Sequence, residues 1–406
     1  MTEAAASAQK RSAAKTQRLP LINLPKAILP IYLTTFVDML GYTLLIPLLP
    51  AIAHKYGAQD WLVGMLLSVP AACAMVAAPI WGKASDRTGR KFIIVIAQGF
   101  TLAGYTILAL ATSLFWIFVS RLISGVGAGS IGTAQSYIAD VTSEDQRERA
   151  YAMYGAVFGA AFIIGPVAAG ALERYGLQFP FYIAAGLEVL NIALTLWLLP
   201  ARTRAQRPQT SAEKSIRAAW KPRIRTVLIR QFLFIFAVVY LLADFALYLH
   251  HQLHEGISNA SWMLAATGAV GGITLVVAVT PLTKRLGDRA VAQIGLVLLF
   301  GAYGLIYFVK SLAWFFPVLI LWAIGAAMVE PTLMALLSRR APEEERGAIM
   351  GLSDAVNSAA LVVSPAIGTA IVGANARLIG VLPAIAVAAA YFIGRGPFKH
   401  KNAKAH

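Results

Sequence analysis

Twelve apolar segments, each long enough to cross a bilayer, occupy most of this chain: about 26–52, 60–82, 91–112, 114–139, 148–173, 179–200, 226–251, 259–283, 289–310, 313–338, 346–373 and 376–395. In hydrocarbon every backbone amide must find a partner inside the protein, and roughly 20 apolar residues coiled as a helix do this while covering about 30 Å. Such a pattern predicts an all-α integral membrane protein. Composition agrees, because 58% hydrophobic and 13% charged residues over 406 positions exclude an ordinary soluble domain of this length. We number the segments spans 1 to 12.

The placement of charge predicts orientation. With the spans fixed, 30 of the 35 Lys and Arg residues fall in alternate loops and tails on one face. The other face carries Lys55, Arg174, Lys310 and Arg377, and Arg121 is left inside span 4. Basic residues are retained on the cytoplasmic side, so both termini are expected there, in a cell inner (plasma) membrane. The same asymmetry accounts for the net charge of +16 without a nucleic-acid partner. Residues 1–25 read as a disordered cytoplasmic tail and 396–406 as a second tail. One cysteine, Cys73, leaves no intrachain disulfide possible.

The longest hydrophilic connection, 201–225, is strongly basic and divides the spans six and six. An internal duplication follows from the repeated offsets. Arg147 precedes Pro166 by the same nineteen residues that separate Arg346 from Pro365, and the two sets lie 199 apart. The expected domains are therefore two pseudo-symmetric six-helix bundles, 26–200 and 226–395. Halves related by an axis along the membrane normal place a substrate site between them near mid-membrane.

One stretch carries a sharper signal. W-G-K-A-S-D-R-T-G-R-K at 81–91 reads as a short basic loop hinging spans 2 and 3. With Gly82, Asp86, Arg87, Gly89, Arg90 and Lys91 in register, it resembles the signature loop of the major facilitator superfamily, and the resemblance covers about 26–395. Ala84 stands where that family often has Leu. Leu40-Gly41 with Pro47 and Pro50, Arg121 followed by Gly125, Gly127 and Gly129, and Gly155, Gly159, Gly165-Pro166 and Gly170 on span 5 are similar to the drug/proton antiporters of the family. The 36–50 stretch looks particularly like the tetracycline/proton antiporter group.

Glycines on span 5 leave a face without side-chain bulk for another helix to approach, and Pro166 removes a backbone donor and bends the rod. The resemblance implies that Asp86 faces the start of span 11, around Arg346 to Ile349, where a helix dipole would stabilise an anion. Arg90 is then expected to bridge Asp86 to Asp140, forming a charge cluster that latches the two halves in one state.

Ionisable groups within spans are costly in hydrocarbon and point to cavities or partners. They are Asp38, Arg121, Glu188, Asp244, Glu330 and Asp354. The resemblance implies that spans 1, 4, 7 and 10 line a central cavity, and Asp38, Arg121, Asp244 and Glu330 fall one on each. Arg121 lies about 7–8 Å from the level of Asp38 along the axis, so an Asp38–Arg121 pair is expected. Asp244 or Glu330 would be a second titrating group, with Gln135, Asp354 and Asn357 as polar contacts or buried hydrogen-bond pairs. Glu188, on a span that is peripheral in the family, is expected to pack inward or to form a subunit contact. His250, His251 and His254 read as interfacial residues rather than metal ligands.

These readings predict a monomeric secondary transporter working by alternating access: a proton-coupled antiporter exporting a small organic compound or drug. It would draw on the proton gradient, without cofactor, metal or catalytic residues. Proton-linked uptake of a metabolite is the alternative within transport. A membrane-embedded enzyme or sensor is the alternative of another class, but the loops supply no convergent nucleophile, base and metal set.

Overall fold

In the computed structural model, residues 28–142, 144–200, 221–342 and 346–395 are described, except for the side chains of 144, 145, 147–149, 152 and 346–348. The two tails and most of the linker lie outside these residues. Every long element among them is a helix. Eleven are long and apolar enough to cross a membrane, and a bent pair completes twelve.

Span 1 is that pair: α1 (Leu29–Leu45) and α2 (Leu49–Lys55) meet at 46°. Pro47 and Pro50 sit at and just beyond the break, where a missing amide donor and a fixed φ interrupt the ladder. Spans 2 to 6 are α3 (Asp60–Thr88), α4 (Arg90–Ala109), α5 with α6 (Leu114–Ala128, Ile131–Val141), α7 (Glu144–Leu172) and α8 (Phe179–Leu198). Span 7 is α9 (Pro222–Tyr248), extended by a π-helical turn, Leu249–Leu253. Span 8 joins α10 (Ile257–Thr274) to α11 (Thr280–Leu286) through a second π segment. Spans 9 to 12 are α12 (Asp288–Ile306), α13 (Leu312–Arg340), α14 (Arg346–Ala374) and α15 (Val381–Arg395).

Neighbour relations repeat between the halves. Span 1 packs on spans 5 and 6, span 3 on 4 and 6, and span 2 on 4; correspondingly, 7 packs on 11 and 12, 9 on 10 and 12, and 8 on 10. The seam between halves is formed by α3 against α14 and by α7 against α10.

Small residues decide how close these rods come. A Cβ on Gly268 would lie 3.0 Å from Ile163, one on Gly170 2.9 Å from Ser261, and one on Gly373 2.6 Å from Asp60. All of these are seam contacts in the half of the molecule remote from Gly89 and Gly287. Toward the Gly89 end, Gly155, Gly159, Gly272 and Gly351 have nothing within 4 Å. The seam is zipped at one end and splayed at the other. The expectation that Gly155 and Gly159 admit a close helix is therefore corrected, while Gly165, against Thr43, and Gly170 do admit one.

The 81–91 stretch needs a correction as well. It is not a loop, because α3 continues to Thr88 and α4 starts at Arg90, leaving Gly89 alone between them. Gly89 has φ 100° and ψ 147°, a region closed to side-chain-bearing residues. Gly287 makes the equivalent junction between α11 and α12, with φ 81° and ψ 155°.

Candidate functional site: a buried charge cluster and a basic junction

Asp38 sits near the middle of α1 and is half-buried. One turn along, Gly41 leaves room for Tyr105 of α4, whose ring would be 3.0 Å from an added Cβ. Tyr105 lies within electrostatic reach of Asp38, Glu188, Arg121 and Tyr42. The group thus gathers side chains from spans 1, 3, 4 and 6.

Arg121 is 4% exposed, and its guanidinium has only Ser120 Oγ, at 3.4 Å from Nε, and an Nη2 with no hydrogen-bond partner. No ion pair joins it to Asp38; the expected pair is replaced by a looser cluster in which Tyr42 and Tyr105 are Arg121's electrostatic neighbours. Glu188, 1% exposed, accepts a 3.4 Å hydrogen bond from Asn191 and lies within electrostatic reach of Asp38. It packs inward, into the site. Tyr154 of α7 completes the surround, reaching both Thr35 and Asp38.

The other expected site residues lie apart. Asp244 is fully buried, both carboxyl oxygens lack partners, and it is wedged against Gly368 of α14. Its electrostatic neighbour is Asp60, not Asp38 or Arg121. Glu330 and Asp354 are exposed, Gln135 is half-buried, and Asn357 accepts a 2.9 Å bond from Gln231, which also pairs with Ser353 at 2.7 Å. The four acids and bases of spans 1, 4, 7 and 10 do not converge: Asp38 and Arg121 share one cluster, and Asp244 and Glu330 stand outside it.

At the Gly89 junction the charges do meet. Arg90, 4% exposed, binds Asp86 at 2.6 Å, Asp140 at 3.1 Å and Ser85 Oγ at 2.5 Å. Lys91 donates to the carbonyls of Leu196 and Leu199, closing the end of α8, and Arg87 is exposed. Gly82 contributes its carbonyl to Ser85 Oγ at 2.8 Å. All these partners belong to the first half, so no latch between halves is formed here by the described side chains. The second half repeats the bridge with its signs exchanged, Arg339 reaching Asp288 at 3.0 Å.

Sequence reasoning missed Tyr42, Tyr105 and Tyr154 because aromatic residues within apolar spans look like packing. It also missed Asp60, which accepts from His54 at 2.8 Å and from His251 at 3.2 Å. The available signal was an acid opening a span directly after a His-bearing helix end. No group of His, Cys, Asp and Glu among the described residues could hold a metal.

The chain matches the sequence profile described as the Major Facilitator Superfamily over residues 31–365 and 231–406. It is 26% identical over 376 residues to the class C tetracycline resistance protein of Escherichia coli, covering 90% of this chain and 95% of that one. It is 28% identical over 338 residues to multidrug resistance protein 1 of Bacillus subtilis, covering 82% and 86%. Among solved structures it superposes on the nucleoside transporter NupG (D323A mutant) with TM-score 0.77 at 13% identity, covering 91% and 99%. The human organic anion transporter MFSD10 gives 0.72 at 19%, covering 92% and 100%. A duplicated twelve-span bundle, a glycine-jointed charge bridge and a match over nearly the whole chain make this protein a multi-pass membrane transporter, not an enzyme, and a member of the Major Facilitator Superfamily.

Proposed function

We propose that the protein is a proton-coupled antiporter that exports a small organic compound of drug type by alternating access. It would act as a monomer, with both termini in the cytoplasm and the proton gradient as its only energy source. The observation that carries this reading is the cluster of two acids and one base, Asp38, Glu188 and Arg121, around Tyr105. One ionised carboxyl balances the guanidinium; the other acid is uncharged only when it holds a proton. Isolated charge inside hydrocarbon costs several kcal/mol, roughly, so proton loss from the second acid demands a replacement cation. A substrate that carries positive charge supplies it, and proton and cargo then exclude one another, as antiport requires.

The splayed seam supports the direction of loading. Under the proposed orientation its open end faces the cytoplasm, where cargo for export would enter. Similarity to tetracycline and multidrug resistance proteins supports the substrate class.

Purified protein in liposomes, given an imposed pH gradient and a panel of cationic drugs with tetracycline, tests the proposal. Drug movement should be driven by the gradient and accompanied by counter-moving protons. Asp38→Asn should abolish both while the protein stays inserted; gradient-independent drug flux, or undiminished coupling in that variant, would remove the assignment.

A further inference from the structure

A second charge cluster lies at the zipped end of the seam. Asp60 opens α3 in the first half. Its carboxylate accepts from His54 Nε2 at 2.8 Å, at the close of α2, and from His251 Nε2 at 3.2 Å, in the π turn that closes span 7 in the second half. The two imidazoles face each other across the carboxylate with ring centroids 6.5 Å apart. The Asp60–His251 contact is the ion pair that crosses the seam among the described residues. Gly373 of α14 allows the approach, because any Cβ there would lie 2.6 Å from Asp60 Oδ2.

We propose that His251 and Asp60 form a proton-controlled latch on the outer mouth of the transporter. A charged imidazole held against a carboxylate makes a charge-assisted bond, roughly twice as strong as its neutral counterpart. A neutral His251 keeps one hydrogen bond and loses the Coulomb attraction. Protons arriving from the outer side therefore strengthen the contact that closes that side. Outward opening requires the contact to break, and an alkaline exterior favours this.

Titratable and charged groups face the contact from both halves. On the first half these are His54 and Lys55, the latter with its ammonium 5.6 Å from the Tyr56 ring. On the second half they are His250, stacked edge-on against His251 at 5.5 Å, with His254 and Glu255 just beyond and Asp244 within electrostatic reach of Asp60. Gly373 is the α14 residue in contact, and the next charge along that chain is Arg377.

The latch belongs to the antiport cycle and uses its orientation, but its test needs neither substrate nor gradient. Nitroxide labels at Tyr175→Cys and Tyr307→Cys, both exposed near the zipped end of opposite halves, are placed in a Cys73→Ser background in lipid nanodiscs. Electron-paramagnetic-resonance distances are then read at about pH 5.5 and about pH 8, bracketing the ordinary histidine titration near ~6.5. The ratio of long-distance to short-distance population should rise about five-fold or more with pH. His251→Gln, which retains a hydrogen-bond donor without charge, should abolish that rise, and Asp60→Asn should do the same. His254→Asn, suited to its left-handed backbone (φ 55°), should leave it intact. A rise that survives His251→Gln, one that His254→Asn removes, or no pH dependence in the parent would each overturn the latch. None of those results would bear on proton-driven drug flux.

Discussion

The chemistry of the central cluster rests on side chains whose positions are set by one missing methyl group. Gly41 lets Tyr105 lie flat on α1, and Tyr105 in turn stands among Asp38, Glu188 and Arg121. Gly41→Val would drive branched carbon into the Tyr105 ring, which is already at 3.0 Å from a bare Cβ position. The ring must move, so drug transport should fall at least about ten-fold, while the added bulk, costing about 1–3 kcal/mol, leaves the protein folded. Drug flux alongside thermal melting in detergent separates the two effects. Glu188→Gln makes a contrasting case: it preserves the side chain's size and its contact with Asn191 but deletes one of the two acids. Drug binding should persist, and the number of protons released per drug bound should drop; equal proton release in variant and parent would return Glu188 to a packing role. Asp38 and Arg121 were legible in the sequence because ions inside apolar spans are conspicuous. Their tyrosine partners were not, since a phenol in a greasy helix is indistinguishable from core until its neighbours are known; for Glu188 the sequence left inward packing and a subunit contact both open, and the structure takes the first.

At the scale of elements, the single residue Gly89 joins α3 to α4 with a backbone that side chains cannot adopt, and Gly287 repeats the joint 198 positions later. Either Gly→Ala substitution should cost about 1–3 kcal/mol of local strain, read as a lowered melting temperature in detergent. Around each joint an arginine and an aspartate bridge adjacent spans, Arg90 with Asp140 in one half and Asp288 with Arg339 in the other. Because Arg90 is nearly enclosed, Arg90→Ala strands two carboxylates, and the loss should exceed that of Arg339→Ala, whose side chain is 75% exposed. The twelve spans were readable because hydrocarbon thickness imposes a length on each. The junction misled for a local reason: K-A-S-D-R-T is polar, and polarity between two apolar runs suggests a loop, yet all six residues stay helical. Nor could periodicity reveal the π turns of spans 7 and 8, one of which carries His251 to Asp60.

For the whole molecule, the distribution of close glycines defines which way the halves lean. Gly170, Gly268 and Gly373 touch the opposite half, whereas Gly155, Gly159, Gly272 and Gly351 face open space nearer the basic junctions. Packed interfaces are bistable rather than continuously deformable, so switching must exchange these sets: the open glycines close as the crowded ones part. A ligand that prefers one state shifts the balance only by its differential affinity. In a Cys73→Ser background, Gly351→Cys should react readily with a membrane-impermeant maleimide from the basic face, and the reaction should slow when Asp60→Asn loosens the far end. Gly373→Cys should show the reverse, unreactive in the parent background and labelled from the opposite face once the contact is weakened. Reciprocal change at the two positions is the signature of a rocking motion about a shared axis. Protection at Gly351→Cys with no gain at Gly373→Cys would instead mean that the basic end closes by a local movement of α14, and the two halves would not tilt as rigid units.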